Sequence, residues 1–186
     1  MSSSNFPGLV LLIVAALLTG SVSADQNDPR LDALFDALLE TTDPGMLSQV
    51  EKRIWTLWYQ HPDQDAQALL VAGERLMNAG YYGDALRVFN ALIEQQPDFA
   101  EAWNRRATLH YMRGELAASI ADIERTLQLE PRHFGAISGL GLVYLRQDNL
   151  LKARDAFEQL LTINPNSPAA RHNLDRILEQ LRSRFI

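Results

Sequence analysis

The side chains best suited to chemistry in this chain are four histidines, His61, His110, His133 and His172, and the carboxylates around them. A helical metal site needs ligands one turn apart, and none of the four has a second histidine four residues on. Cysteine is absent, which removes thiolate metal sites, redox pairs and cysteine nucleophiles together. The close carboxylates Asp63 and Asp65, or Asp122 and Glu124, have spacings common on solvated helices and define no acid and base pair. The run Gly135-Ala136-Ile137-Ser138-Gly139-Leu140-Gly141 holds glycines and a serine, but no strand precedes it, no Lys follows, and Ser138 lacks the G-x-S-x-G spacing. Its glycines are read as close helix contacts. We therefore expect no catalytic residue, no metal ligand and no cofactor. Lys and Arg total 17 against 23 Asp and Glu, and the net charge of -6 has the wrong sign for neutralising phosphates, so nucleic acid is not an expected partner.

The elements that position these residues repeat. Pro97, Pro131 and Pro165 are 34 residues apart, and each closes a helical pattern. Counting back gives units 66 to 99, 100 to 133 and 134 to 167, each with two amphipathic stretches around a polar turn. The first unit has Ala72, Gly73, Leu76, Ala85, Phe89 and Pro97 at positions 7, 8, 11, 20, 24 and 32, and the third has Leu140, Gly141, Tyr144, Ala153, Phe157 and Pro165 there. The second keeps Trp103 at position 4, Ala107 at 8, Ser119 at 20, Ile123 at 24 and Pro131 at 32. Position 8 must be small where two antiparallel helices approach most closely, and position 20 is small because it faces that contact. Gly80, Gly114 and Asp148-Asn149 mark the turns between paired helices, since they tolerate the left-handed conformation.

These residues resemble the tetratricopeptide repeat family over 66 to 167, with 168 to 186 as the helix that caps such arrays. The resemblance implies an all-α, right-handed superhelical solenoid of antiparallel helix pairs. Within it, Arg106 stands at position 7, where a buried apolar residue is usual, and Asp122 is the carboxylate in register to neutralise it. His110, in a slot usually held by a packed Tyr, is read as a satisfied core histidine. The tripeptide His61-Pro62-Asp63 is the one by which J-domain cochaperones act, but it falls on a turn and the rest of such a domain is missing.

Upstream, Asp28-Pro29 and Asp43-Pro44 are two helix-start signals, followed by apolar faces at Leu31, Leu34, Phe35 and Leu38 and at Leu47, Val50, Ile54, Leu57 and Trp58. Residues 25 to 65 are read as a degenerate helical hairpin stacked on the first repeat. Trp55 and Tyr59, off the main stripe, either pack under that repeat or form an exposed aromatic contact site. Residues 1 to 24 carry no Lys, Arg, Asp or Glu, and the apolar run Leu9 to Leu18 ends before the small residues Val22-Ser23-Ala24. Ten apolar residues fall short of the roughly 20 that span a bilayer. The pattern is that of a signal peptide cleaved after Ala24, giving an exported chain in a bacterial periplasm with no membrane attachment after cleavage. An uncleaved anchor is the alternative.

The family resemblance places a concave groove on the first helix of each unit, chiefly at positions 2, 5, 9, 12 and 13. It takes in Gln67, Leu70, Glu74, Met77 and Asn78, then Glu101, Asn104, Thr108, Tyr111 and Met112, then Gly135, Ser138, Leu142, Leu145 and Arg146, with His172 and Arg176 from the cap. The candidate peptide-binding residues are Asn104, Thr108, Tyr111, Leu142, Arg146, His172 and Arg176. The family's basic clamp for a terminal carboxylate is not matched, because Leu70 and Glu74 stand where its first Lys and Asn belong. The reading is a non-catalytic protein-interaction module with a protein or peptide partner, an adaptor or assembly factor of the bacterial envelope. The alternative is an accessory subunit of an envelope enzyme complex, for cytochrome maturation, cell-wall synthesis or secretion.

Overall fold

Among the described residues three hold the left-handed backbone conformation, Gly80 (φ 82°), Gly114 (φ 79°) and Asp148 (φ 57°), and each sits at the turn assigned to it by the repeat. The structure, a computed structural model, describes residues 25–184, so the leader expected over residues 1 to 24 lies outside the described residues. Among the described residues there are nine α-helices and no strand: α1 (Arg30–Glu40), α2 (Pro44–Tyr59), α3 (Gln64–Asn78), α4 (Tyr82–Gln95), α5 (Ala100–Arg113), α6 (Leu116–Leu129), α7 (Phe134–Arg146), α8 (Leu150–Ile163) and α9 (Pro168–Ser183). Asp43 caps α2 by accepting from the Met46 N–H, and Asp63 caps α3 by accepting from Asp65 and Ala66, which gives the His61-Pro62-Asp63 sequence a structural role. Helix α1 starts at Arg30, later than the Asp28-Pro29 signal implied; the Asp28 carboxylate accepts from the Arg30 N–H at 2.9 Å and also holds its guanidinium.

The pairs α3–α4, α5–α6 and α7–α8 pack as antiparallel hairpins, and α9 closes the stack against α8. The small residue at position 8 makes room for the ring at position 24 of the same unit. A Cβ on Gly73 would lie 2.5 Å from the Phe89 ring, and one on Gly141 would lie 2.6 Å from Phe157. The second unit solves the same packing with Ala107 against the slimmer Ile123. Its Ser119, at position 20, donates its hydroxyl to the Ala107 carbonyl at 2.8 Å. Gly141→Ala should therefore cost about 1 to 3 kcal/mol by overpacking, although alanine is the better helix former by about 1 kcal/mol. Copying the second unit with Gly141→Ala plus Phe157→Ile should be milder than the summed single costs by about 1 kcal/mol or more in urea unfolding. Strictly additive costs would show that the ring is not the obstacle.

Arg106 and Asp122 form the pair that the register called for. The guanidinium is bidentate on the carboxylate, with Nε to Oδ2 and Nη2 to Oδ1 both at 2.8 Å. Its third nitrogen donates to Asn90 Oδ1 at 2.8 Å, and its face lies 4.9 Å from the Trp103 ring centre. Side-chain exposures of 18% and 6% leave both charges mostly out of water. A double-mutant cycle with Arg106→Leu and Asp122→Leu should give a coupling energy of about 2 kcal/mol or more, since each single change strands a largely desolvated charge. No coupling would reduce the pair to a surface contact. His110 is half-buried, with Nδ1 2.6 Å from Glu115.

The N-terminal hairpin is not stacked on the first repeat. Its apolar residues Leu31, Phe35, Leu38, Leu47, Ile54, Leu57 and Trp58 share one core with Phe134, Ile137, Leu150, Phe157, Leu160 and Ile177, from the third repeat and the cap. To reach them it crosses the three inter-repeat turns in succession. Gln26 donates to the Asp98 carbonyl at 2.6 Å, Asp32 accepts from Arg132 at 2.8 Å, and the Thr41 carbonyl accepts from Asn166 at 2.7 Å. Asp98, Arg132 and Asn166 all occupy position 33 of their units, so the segment 26–41, with α1 inside it, runs along the array touching the same point of each turn. Glu51 of α2 adds a bond from Asn164 Nδ2 at 2.6 Å.

Candidate functional site

Because the segment 26–41 follows the turns, α2 is carried across the concave face, from Glu74 of α3 to Gly135 of α7. Trp55 seats on Gly135, where a Cβ would fall 2.3 Å from the indole, so glycine is required for that contact. Tyr59 donates its hydroxyl to Glu74 Oε2 at 2.5 Å. The Arg105 guanidinium lies between the two rings, 5.7 Å from the centre of Trp55 and 5.6 Å from that of Tyr59. Thus both aromatics pack on the protein: Tyr59 against the core of the first repeat, as one of the two expected placements had it, and Trp55 against the core shared with α7.

Below them lies a buried polar chain. Arg105 bridges Glu74 Oε1 at 3.0 Å and Glu101 Oε1 at 2.5 Å, while Glu101 Oε2 accepts from Asn104 at 3.0 Å and lies 3.0 Å from His133 Nε2. His133 Nδ1 accepts the Ala136 N–H at 3.1 Å, an arrangement that puts the ring proton on Nε2. Trp58 stacks on this imidazole at 4.1 Å between ring centres. Burial alone would raise the Glu101 pKa; the hydrogen bond from His133 and the charge of Arg105 overcome it and hold the carboxylate below its ordinary range. For Tyr59, burial first and the Glu74 contact second push the phenol upward, so it stays a donor.

Much of the concave face expected to meet a partner is therefore internal. Glu74, Glu101 and Asn104 are engaged in the polar chain, and Leu70 and Met77 belong to the core at 0% and 5% exposure. What stays open is a half-enclosed pocket of about 250 Å³ between α5 and α7, with Trp55 as its wall at one end. Asn104, Thr108, Tyr111 and Leu142 line it together. Arg146 stands at its edge, donating to the Tyr111 carbonyl at 2.7 Å with its guanidinium 5.3 Å from the Tyr111 ring centre. His172 and Arg176 are exposed on α9 and are not among the pocket's lining residues, so the candidate set divides into these two and the five gathered at the pocket. Sequence reasoning missed Arg105, since it stands at position 6, outside the positions assigned to the groove. The only available signal was the pair of off-stripe aromatics, Trp55 and Tyr59, one helical turn apart.

Paired helices stacked about a concave face, with a pocket between successive first helices, define a helical-repeat interaction protein. The tetratricopeptide repeat family model matches residues 70–132 and 114–168. A TPR repeat-containing protein of Rhizobium etli is 33% identical over 152 residues, covering 82% of this chain and 74% of that one. This chain belongs to the tetratricopeptide repeat family. It is also 33% identical over 138 residues to the human DnaJ homolog subfamily C member 3, of which it spans 24%. Among solved structures, the first TPR of Spaghetti (RPAP3) bound to the HSP90 peptide SRMEEVD aligns with a TM-score of 0.61 at 22% identity, over 64% of this chain and 94% of that chain. MamA aligns with a TM-score of 0.58 at 21% identity, over 83% of this chain and 77% of that chain.

Proposed function

We propose that the protein is an exported, non-catalytic adaptor or assembly factor of the bacterial cell envelope, which holds an acidic or carboxylate-ended peptide segment in the pocket between α5 and α7. One observation carries the choice of ligand. Among the described residues Arg146 has no carboxylate partner, yet its guanidinium is laid over Tyr111 at the pocket edge, in a protein whose net charge is -6. A cation kept on an aromatic platform beside an apolar pocket suits an anionic side chain or terminus followed by apolar contacts. The HSP90 peptide on the Spaghetti repeat, SRMEEVD, is of that acidic kind and supports a peptide ligand here. The charge-free leader with its short apolar run supports export.

Crosslinked pull-down from a native periplasm tests both parts. Captured partners should be lost with Arg146→Glu, retained with Arg176→Glu, and the captured chain should begin at Asp25. For a purified partner peptide, Arg146→Glu should weaken binding about tenfold or more, and wild-type affinity should fall as salt rises. Unchanged capture by a folded Arg146→Glu variant moves binding elsewhere.

A further inference from the structure

In this array each repeat's second helix covers the helix that follows it: α4 lies on α5, α6 on α7 and α8 on the closing helix α9. Position 7 faces that cover, as the 2.8 Å bond from Arg106 to Asn90 of α4 shows. Among the described residues helix α3 has no such cover, because the hairpin that precedes it in sequence crosses to the concave side, where Tyr59 meets Glu74. The corresponding side of α3 carries Leu69, Ala72 and Leu76, flanked by exposed Ala68 and Ala79. Asp65, Ala68, Leu69 and Ala72 line a shallow groove of about 480 Å³ there with Gln95 of α4.

The charges on this side are self-complementary. Asp65 stands in the first turn of α3 and Arg75 in the last, both exposed, and neither has an ion-pair partner among the described residues. The far end of the array offers no apolar match, since the outer side of α9 presents Arg171, Asp175, Arg176, Glu179 and Arg182. Stacking copies head to tail would desolvate those charges against Leu69 and Leu76.

We propose that the uncovered side of α3 is an interface with a second copy of this chain, the two meeting face to face about a two-fold axis. An antiparallel crossing centred between Leu70 and Val71 sets Leu69 against the second copy's Ala72, and Asp65 against the second copy's Arg75 and Leu76, each contact made twice. Alanines at 68 and 72 let the helices approach closely. The missing cover of the first repeat is thereby supplied by another molecule.

Sedimentation equilibrium of the protein, purified in the form that cells process it, tests the interface. Wild type should form a dimer. Ala72→Arg, Asp65→Arg and Arg75→Asp should each raise its dissociation constant about tenfold or more. The double reversal, Asp65→Arg with Arg75→Asp, should return it to within about threefold of wild type, a recovery that a loss of folding does not produce. Should Ala72→Arg lose helix content by circular dichroism, Ala68→Arg at an exposed position takes its place. A monomeric wild type, a dimer indifferent to the single changes, or a double reversal that fails to recover would overturn the proposal.

Discussion

Trp58→Ala is expected to cost about 3 to 5 kcal/mol of folding stability and to loosen the first two helices from the rest of the molecule. The side chain is 1% exposed and meets His133 face to face at 4.1 Å, Phe134 at 4.9 Å and Phe35 at 5.9 Å between ring centres. It joins α1 and α2 to the start of α7, so its removal opens a cavity where three elements meet and none can close without moving the others. Among the described residues its indole N–H finds no acceptor, so Trp58→Phe gives up no hydrogen bond to them and should keep most of the stability. Urea unfolding of both variants checks the amount. Hydrogen exchange checks the place: protection should fall first in residues 30 to 59. An alanine variant within about 1 kcal/mol of wild type would mean that the hairpin is held by its hydrogen bonds to the turns and not by this core.

Glu101→Ala is expected to cost about 3 to 5 kcal/mol as well, for an electrostatic reason. The carboxylate is fully buried and receives Arg105, Asn104 and His133 together, so deleting it leaves a guanidinium between two aromatic rings with only Glu74 to answer it. The same group sets a pH dependence. Its folded pKa is depressed, so its contribution is present above the unfolded value of about 4.3 and is lost as pH falls through the lower folded value. Wild-type stability should therefore decline steeply below about pH 4, and Glu101→Gln, which cannot ionise, should show a shallower decline over that range. Parallel acid unfolding curves for the two proteins would remove Glu101 from the account.

The repeats were legible because their punctuation is local. A glycine or Asp148 with positive φ, a proline that ends a helix, and a small residue opposite a ring each leave a residue type at a fixed position. The Arg106 and Asp122 pair was legible for a related reason, since a charge in a buried slot needs a counter-charge and only one carboxylate stood in register. The placement of the hairpin was not. The apolar stripes of α1 and α2 say that one face is buried, not against which partner, and Pro62 lies 35 residues before Pro97, close enough to the period to imitate another repeat. The polar chain from Tyr59 to His133 escaped because its members come from four segments and look, one by one, like charges on solvated helices. The pocket escaped for the same reason, because Trp55 of α2 forms its wall.

A repeat array ordinarily assembles by neighbour contacts, and any part can form first. Here Thr41 bonds to Asn166 across 125 residues, and the hairpin crosses the turns of all three units. Residues 30 to 59 leave the ribosome before the surface that receives them exists, so α1 and α2, made before α3 to α9, find their seat after them. The entropy of closing so long a loop comes due before Phe134 and Ile177 can repay it, so stopped-flow refolding should show docking of the hairpin as the slow phase. Until then Leu31, Phe35, Ile54 and Trp58 stay open to any other apolar surface, and that is the interval in which the chain is most exposed to aggregation.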